Sequence, residues 1–211
     1  MESMELMPTH VRVASILKKA LFSGEYKSGD ELSLTEIAGK LGISRTPVRE
    51  AFQQLESEGL IELRMNKGAI VKPIDEKYIR DHFEMRILLE SEAASRAAKR
   101  GMDNVDKLLL RSESMKPLLS VVSNEEYESL NFKIHSSIWE AADNDRLFKF
   151  LSTLWNGPSI GFLNPELDHY IRSTEEHIEI LKAIKAFDSE AAKKMMEIHI
   201  ERSMNNILHS L

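Results

Sequence analysis

One segment, residues 42–61, constrains the fold more than any other part of the chain. It reads GISRTPVREAFQQLESEGLI, with apolar residues every three or four positions between two glycines. This pattern predicts a tight turn, a helix capped by Ser44, and a glycine stop before a strand. Arg45 and Arg49 lie four positions apart, so they share one face of the helix. A helix that is apolar on one side and carries guanidinium groups on another suits the major groove of DNA.

The neighbouring segments predict the rest of a small domain. Helical spacing of apolar residues predicts a first helix over roughly residues 9–22, and the capping-box pattern at residues 33–36 starts a second helix that ends near Leu41. Residues 61–64 and 68–71 are predicted to be strands around a hairpin turn. Three helices followed by a two-stranded hairpin form a winged helix-turn-helix, which we assign to residues 1–74.

The remainder of the chain, residues 75–211, shows no convincing strand pattern. Short interruptions separate six predicted helices, near residues 76–100, 103–120, 123–142, 145–156, 166–186 and 188–209. Short loops favour antiparallel neighbours, so this part is predicted to be an all-α helical bundle. The fold class is therefore mainly α, with an N-terminal winged helix-turn-helix joined to an all-α bundle. Because the bundle is acidic, it should repel DNA and is better interpreted as a sensing or dimerising body.

Composition excludes several classes of protein. The 211 residues contain no cysteine, so disulfides, thiolate nucleophiles and sulfur-ligated metals are excluded. We expect a cytoplasmic protein with no membrane association, because the sequence has neither a signal-peptide pattern nor an apolar run of membrane-spanning length. The net charge is −6, and residues 75–211 contain 18 of the 28 Lys/Arg and 24 of the 34 Asp/Glu. Residues 1–74 therefore carry no net charge. Any DNA affinity must come from a few cationic side chains at suitable positions and from the simultaneous binding of both subunits of a dimer.

Several side chains of the winged domain are candidates for DNA contact. Arginine has a planar fork that suits guanine or phosphate, which applies to Arg45 and Arg49. The hydroxyl groups of Ser44 and Thr46 are natural phosphate contacts, and Lys67 is expected at the hairpin tip. The alternative is that both arginines pair with Glu36 or Glu50 on a solvated face.

Three histidines fall on predicted apolar faces of three helices. His135 follows Asn131 by one helical turn, and His177 and His199 are each in register with apolar neighbours. Imidazoles aimed inward from three helices suit a metal site inside a bundle, although inward histidines are also often satisfied core groups. The other histidines that lack this register are expected at the surface: His10, His169 and His209.

Two further residues are candidates for an effector pocket. Arg86 lies on the inward stripe of the helix at residues 76–100, and a buried guanidinium needs an anion. That anion is either Glu90, one turn away, or the carboxylate of a bound effector. Trp155 either forms a wall of the same pocket or belongs to the ordinary core.

The first domain resembles a known family. Residues 43–51 and 55–61, with Lys67-Gly68-Ala69-Ile70-Val71 downstream, are similar to the signature of GntR-type bacterial transcription regulators. The resemblance implies that Arg45, Arg49, Thr46 and the Lys67-Gly68 wing contact operator DNA, and we add Thr35 to this set. It also implies pseudo-palindromic operators that homodimers read.

The second domain resembles the FCD effector-binding domain of the FadR-like branch of that family. Residues 131–135, 141–147, 176–184 and 196–200 carry the similarity. It implies that an acidic side chain and three histidines hold a divalent metal, zinc or nickel. It also implies that a small organic acid binds beside the metal as a ligand. Asn131 stands where the family often has aspartate, and a neutral amide oxygen is expected to lower the affinity for a dication.

These patterns together predict a ligand-responsive transcription regulator, more specifically a repressor. A rival interpretation is a metal-dependent hydrolase, because three histidines around zinc also activate water. No general base, nucleophile motif or phosphate loop is evident beside the histidines to support it. A third interpretation is an interaction scaffold with inert histidines.

Overall fold

The computed structural model describes residues 8–65, 68–155 and 167–209. The described residues up to Tyr78 form one compact unit, and those from Ile79 onward form a second. None of the helices in these ranges has both the length and the apolar character required to cross a membrane.

The first unit contains three helices and a small sheet. Its elements are α1 (Thr9–Phe22), β1 (Glu31–Leu32), α2 (Leu34–Leu41), α3 (Arg45–Ser57), β2 (Ile61–Arg64) and β3 (Gly68–Val71). The strands are antiparallel in the order β1-β3-β2, and Arg64 pairs with Gly68 next to the hairpin turn. This arrangement is a winged helix-turn-helix, as the sequence predicts.

The local sequence explains where these helices begin and end. The Ser33 hydroxyl accepts a hydrogen bond from the Glu36 N–H at 3.4 Å, so Ser33 is the predicted N-cap of α2. Gly42 closes α2 with a φ of 64°, a left-handed conformation that glycine adopts without strain. Helix α3 then buries one face against α1 and the sheet, through Val48, Phe52 and Leu55. That burial leaves the opposite face of α3 exposed.

The second unit is helical throughout its described residues. Its elements are α4 (Glu76–Arg100, which starts in the first unit), α5 (Val105–Met115), a 3₁₀ turn (Lys116–Leu118), α6 (Asn124–Ala141), α7 (Asp145–Trp155), α8 (Leu167–Lys185) and α9 (Ser189–His209). Helix α8 packs against both α5 and α9, and α6 packs against α7. Inward faces of α4, α6, α8 and α9 supply the core residues that surround the histidines.

Three details differ from the sequence predictions. The sheet has a third strand, β1, because Glu31 and Leu32 pair with Ile70 and Ala69. A two-residue strand has no periodicity to detect. The helix predicted over 103–120 becomes α5 and a 3₁₀ turn, since Pro117 lacks the N–H that a continuing α-helix needs. Ser44 occupies the N-cap position of α3 but makes no side-chain capping bond, so the prediction that it caps this helix is wrong in that respect.

Candidate DNA-binding surface and metal centre

The exposed face of α3 presents two arginines at its N-terminal end. Arg45 and Arg49 are both solvent-exposed. Of their candidate partners, Glu36 pairs with Lys40 at 3.1 Å and Glu50 with His10 at 3.5 Å. Within residues 8–65, 68–155 and 167–209, neither guanidinium has a salt-bridge partner. The alternative in which these arginines pair with Glu36 or Glu50 is therefore wrong.

Three hydroxyl side chains lie near the start of α2 and α3. Thr35, Ser44 and Thr46 are all exposed. Because the Ser44 hydroxyl makes no capping bond, the first N–H groups of α3 are not satisfied by that side chain. Unsatisfied N–H groups at a helix N-terminus are a ready site for phosphate.

The wing depends on a glycine at the start of β3. Gly68 has a φ of 92°, and a Cβ atom built there would lie 2.0 Å from the backbone oxygen of Leu32. Only glycine therefore allows β3 to approach β1 this closely while it pairs with β2. Lys67, which the sequence predicts at the wing tip, lies outside the described residues.

The second unit brings three imidazoles together, as their helical register predicts. The Nε2 atom of His177 lies 3.0 Å from Nε2 of His135 and 3.2 Å from Nε2 of His199. The side chains come from α8, α6 and α9, and all three residues are buried. Zn–N bonds of about 2.1 Å place two nitrogen ligands roughly 3.0–3.4 Å apart. The separations therefore match those of nitrogens that share one metal ion.

Two carboxylates orient His135 and His199 through the ring nitrogen that does not face His177. Oε2 of Glu90, on α4, lies 2.6 Å from Nδ1 of His135, and Oε2 of Glu176, on α8, lies 2.7 Å from Nδ1 of His199. An ionised carboxylate only accepts hydrogen bonds, so each Nδ1 carries the proton and each Nε2 keeps a lone pair. A carboxylate behind a histidine in this way is the usual arrangement at metal sites.

The surroundings of the cluster favour charged carboxylates at Glu90 and Glu176 and neutral imidazoles at His177 and His199. Burial alone would raise the pKa of Glu90, but Arg86 and His135 hold it at about 2. Burial likewise opposes ionisation of Glu176, yet hydrogen bonds from His199 and Arg202 lower its pKa. Burial lowers the pKa of His199 to about 4, and burial with the neighbouring imidazoles lowers the pKa of His177 well below its ordinary value. Neutral imidazoles are the form that binds metals.

The number of ring protons that the three histidines can share is also consistent with a bound metal ion. With Nδ1 protonated in His135 and His199, both of their Nε2 lone pairs point toward Nε2 of His177. A neutral His177 has a single ring proton to offer these two acceptors. At least one close nitrogen contact therefore lacks a full hydrogen bond, and a cation that accepts all three lone pairs would resolve this.

Asn131 adds an oxygen on the same helix as His135. Its Oδ1 atom is buried and has no hydrogen-bond partner among the described residues. A buried, unsatisfied carbonyl oxygen costs free energy unless something binds it. Because Asn131 and His135 are one helical turn apart, the oxygen belongs to the same face of α6 as the imidazole. The chemistry of the four predicted ligands thus fits a divalent cation.

The structure also locates the two candidate effector residues. Nε of Arg86 donates to Oε1 of Glu90 at 2.7 Å in a fully buried ion pair, which is the internal partner that the sequence offers as an alternative to an effector. The guanidinium lies 5.0 Å from the ring centre of Trp155, and that ring lies 4.7 Å from the ring centre of His135. Arg86 and Trp155 are thus both neighbours of the histidine cluster.

One histidine is placed differently from its prediction. His169 is only partly exposed, because Nδ1 accepts a hydrogen bond from Asn206 at 3.1 Å and lies 3.4 Å from Nη1 of Arg202. The register of α8 did not show this contact, since Arg202 and Asn206 come from α9. His209 is exposed, as predicted, and the side chain of His10 is 38% exposed.

Sequence reasoning missed the roles of Glu90 and Glu176 behind the histidines. The sequence offers Glu90 as a partner of Arg86, and Glu176 as part of the segment that resembles the FCD domain. The position of Glu90 on a buried helical stripe was a signal for its role, because a buried glutamate must be paired with a cation or a hydrogen-bond donor. Nothing in the spacing indicated that this donor would be His135, which is 45 positions away.

Comparisons with known proteins agree with this architecture. Residues 9–71 match the bacterial regulatory proteins of the gntR family, and residues 81–202 match the FCD domain. The chain is 31% identical over 216 residues to the Uxu operon regulator of Haemophilus influenzae, an alignment that covers 92% of this chain and 79% of the relative.

A second relative and a solved structure extend the comparison. The chain is 32% identical over 164 residues to the gluconate operon transcriptional repressor of Bacillus subtilis, covering 77% of this chain and 63% of the relative. Escherichia coli McbR/YncC has a TM-score of 0.77 at 21% identity, with 97% of this chain and 99% of that chain covered. At this identity the structural similarity shows a shared fold.

The fold, with its winged helix and separate helical unit, defines the class of two-domain DNA-binding transcription regulators. The chain belongs to the GntR family of bacterial regulatory proteins and carries an FCD domain. It is a regulator rather than an enzyme, so the hydrolase interpretation of the three histidines is set aside.

Proposed function

We propose that this protein is a ligand-responsive repressor that binds a pseudo-palindromic operator as a homodimer in the cytoplasm. The observation that carries the proposal is the exposed pair Arg45 and Arg49, with no salt-bridge partner in the described ranges. Two exposed guanidiniums at the start of a recognition helix are suited to guanine edges and phosphates. Thr35, Ser44, Thr46 and the Lys67-Gly68 wing would position the helix through the DNA backbone.

The helical unit is proposed to bind a divalent metal, zinc or nickel. His135, His177 and His199 would hold it through Nε2, and Asn131 through Oδ1. When bound, the ion supplies a positive centre to which a carboxylate oxygen can attach. Glu90 and Glu176 fix the tautomer and the ring orientation of two of these histidines, so the chain's own groups prepare the site before the ion arrives.

The proposed effector is a small organic acid. The supporting observations are a cationic centre beside Arg86 and Trp155 and a relative that is named for a gluconate operon. A ligand shifts the repressor only if it binds the two states of the protein with different affinity. We propose that effector binding changes the packing of the bundle at the dimer interface, and hence the separation of the two α3 helices relative to the half-sites of the operator.

The DNA-binding part is tested with Arg49→Ala. DNase footprinting on the promoter region of the encoding gene should lose the protected site, while circular dichroism stays that of the wild type. Arg172→Ala is the matched control, because it removes an exposed arginine that pairs with Asp168 in the second unit. A footprint that survives unchanged in Arg49→Ala would overturn the assignment of α3 as the reading helix.

The metal-binding part is tested with His177→Ala. Metal analysis after dialysis against zinc or nickel should show a large drop in bound metal per subunit, with the dimeric state of the free protein retained. His209→Ala serves as the control, since it removes an exposed histidine from the end of α9. Wild-type metal stoichiometry in His177→Ala would count against the proposed ligands.

A further inference from the structure

The charged side chains that the structure describes around the histidine cluster form two balanced ion pairs. Among the described residues, the charged groups in hydrogen-bond contact with the imidazoles are Glu90 and Glu176. Each is bound to an arginine: Arg86 donates to Glu90 at 2.7 Å, and Arg202 donates to Glu176 through two nitrogens at 2.5 and 2.7 Å. One negative charge therefore meets one positive charge on each side of the cluster.

The candidate ligands themselves are neutral. Imidazole nitrogen and a carboxamide oxygen carry no formal charge, and the histidines are only 0–5% exposed. A dication held by His135, His177, His199 and Asn131 thus adds two positive charges to a buried position, and the side chains in the described part of the chain leave these charges unbalanced. Burying an uncompensated charge is costly, because water no longer solvates it.

We propose that metal and anion bind to this site cooperatively, because the neutral Asn131 leaves the charge of the metal to be balanced by the effector. This inference rests on the proposed metal site and specifies how that site is regulated. A small dicarboxylate supplies both missing negative charges, and a monocarboxylate supplies one. Binding free energies are linked, so an anion that tightens the metal is itself tightened by the metal to the same degree.

The consequence is that the helical unit responds to two signals together. Metal alone or organic acid alone occupies the site poorly, whereas the pair fills it. The chain encodes this requirement at one position, since an aspartate in place of Asn131 would supply a negative charge permanently. The exchange Asn131→Asp changes one amide to a carboxylate of nearly the same shape, so it isolates charge from packing.

The test measures cobalt affinity with and without an anion. The metal-free, full-length protein is titrated with Co²⁺ and followed by the visible absorption of the bound ion, in the presence of succinate or of the neutral analogue succinamide, with free Co²⁺ corrected for succinate complexes in solution. For the wild type we expect succinate to lower the Co²⁺ dissociation constant by about tenfold or more relative to succinamide. For Asn131→Asp we expect tight binding in succinamide and a clearly smaller effect of succinate.

The control is Asn205→Asp, which adds the same charge at an exposed position on α9 and should behave as the wild type. Cobalt binding with no difference between succinate and succinamide in the wild type would overturn the cooperative inference and leave the metal site standing. Equal affinity of the wild type and Asn131→Asp in succinamide would also overturn it. No cobalt binding by either protein in either solution would remove the proposed metal site itself, and the inference with it.

Discussion

Nδ1 of His135 lies 2.6 Å from Oε2 of Glu90, in a contact that joins helices α6 and α4 inside the bundle. Glu90 also accepts hydrogen bonds from Arg86 and from Trp139, so the exchange Glu90→Gln removes a charge that three neighbours use. We expect metal affinity to fall about 10–100-fold, because His135 loses the carboxylate that orients it. We also expect the free energy of unfolding to fall by roughly 3–5 kcal/mol, since the buried ion pair between Arg86 and Glu90 is broken. Equilibrium metal titration and urea unfolding measure the two effects.

A matched control for this prediction lies two residues along the same helix. Glu92 binds Arg96 at 2.8 Å with the same spacing, but both side chains are more than 40% exposed. Glu92→Gln should therefore leave metal affinity unchanged and alter stability by less than about 1 kcal/mol. If Glu90→Gln were as mild as Glu92→Gln, Glu90 would have no role in orienting His135.

The contact between Glu90 and His135 also shows where sequence reasoning reaches its limit. The helices α4, α6, α8 and α9 were predicted within a few residues, because apolar periodicity is a local signal. The convergence of three histidines followed from the same periodicity, since each lies on the buried stripe of its own helix. The partners behind them depend on the rotation and offset of packed helices, which periodicity does not specify.

In the first unit, too, local patterns predicted the elements but not the contacts between them. The recognition helix and the hairpin were predicted from capping residues, glycines and alternating strands. Strand β1 was missed because it is defined by its pairing with β3 and not by its own two residues. Whether Arg45 and Arg49 pair with Glu36 or Glu50 was likewise open in the sequence. The structure gives both glutamates other partners.

His169 provides a prediction on pH. Burial and the nearby Arg202 lower its pKa to about 4 in the folded protein, compared with about 6.5 in an unfolded chain. Below pH 6.5 the unfolded chain therefore takes up a proton that the folded protein does not. The free energy of unfolding should fall as the pH is lowered from 6.5 toward 4, by at most about 3 kcal/mol from this residue.

The variant that tests this is His169→Asn, which keeps an acceptor for Asn206 and cannot titrate. Urea unfolding at pH 7.0 and 5.0, with metal removed, should show a smaller loss of stability in the variant than in the wild type. Some loss should remain, because burial also lowers the pKa of His177 and of His199. A loss equal to that of the wild type would show that His169 does not contribute.

Lys18 forms a largely buried ion pair at the C-terminal end of helix α3. Its Nζ atom lies 2.5 Å from Glu58 at the C-terminus of α3, and only 1% of the Lys18 side chain is exposed, compared with 19% for Glu58. Lys18→Met keeps most of the packing but leaves Glu58 without this cation. Since Glu58 can still reach water, we expect a loss of about 1–3 kcal/mol, below the range for a fully buried broken pair.

The double variant Lys18→Met with Glu58→Gln separates the pair from simple packing. If the ion pair matters, the double variant should be more stable than the sum of the two single losses implies, with an interaction energy of roughly 0.5–3 kcal/mol in urea unfolding. Lys19→Met, at the exposed neighbouring position, is the control. Strict additivity would mean that the ion pair between Lys18 and Glu58 does not contribute to the packing of α1 against α3.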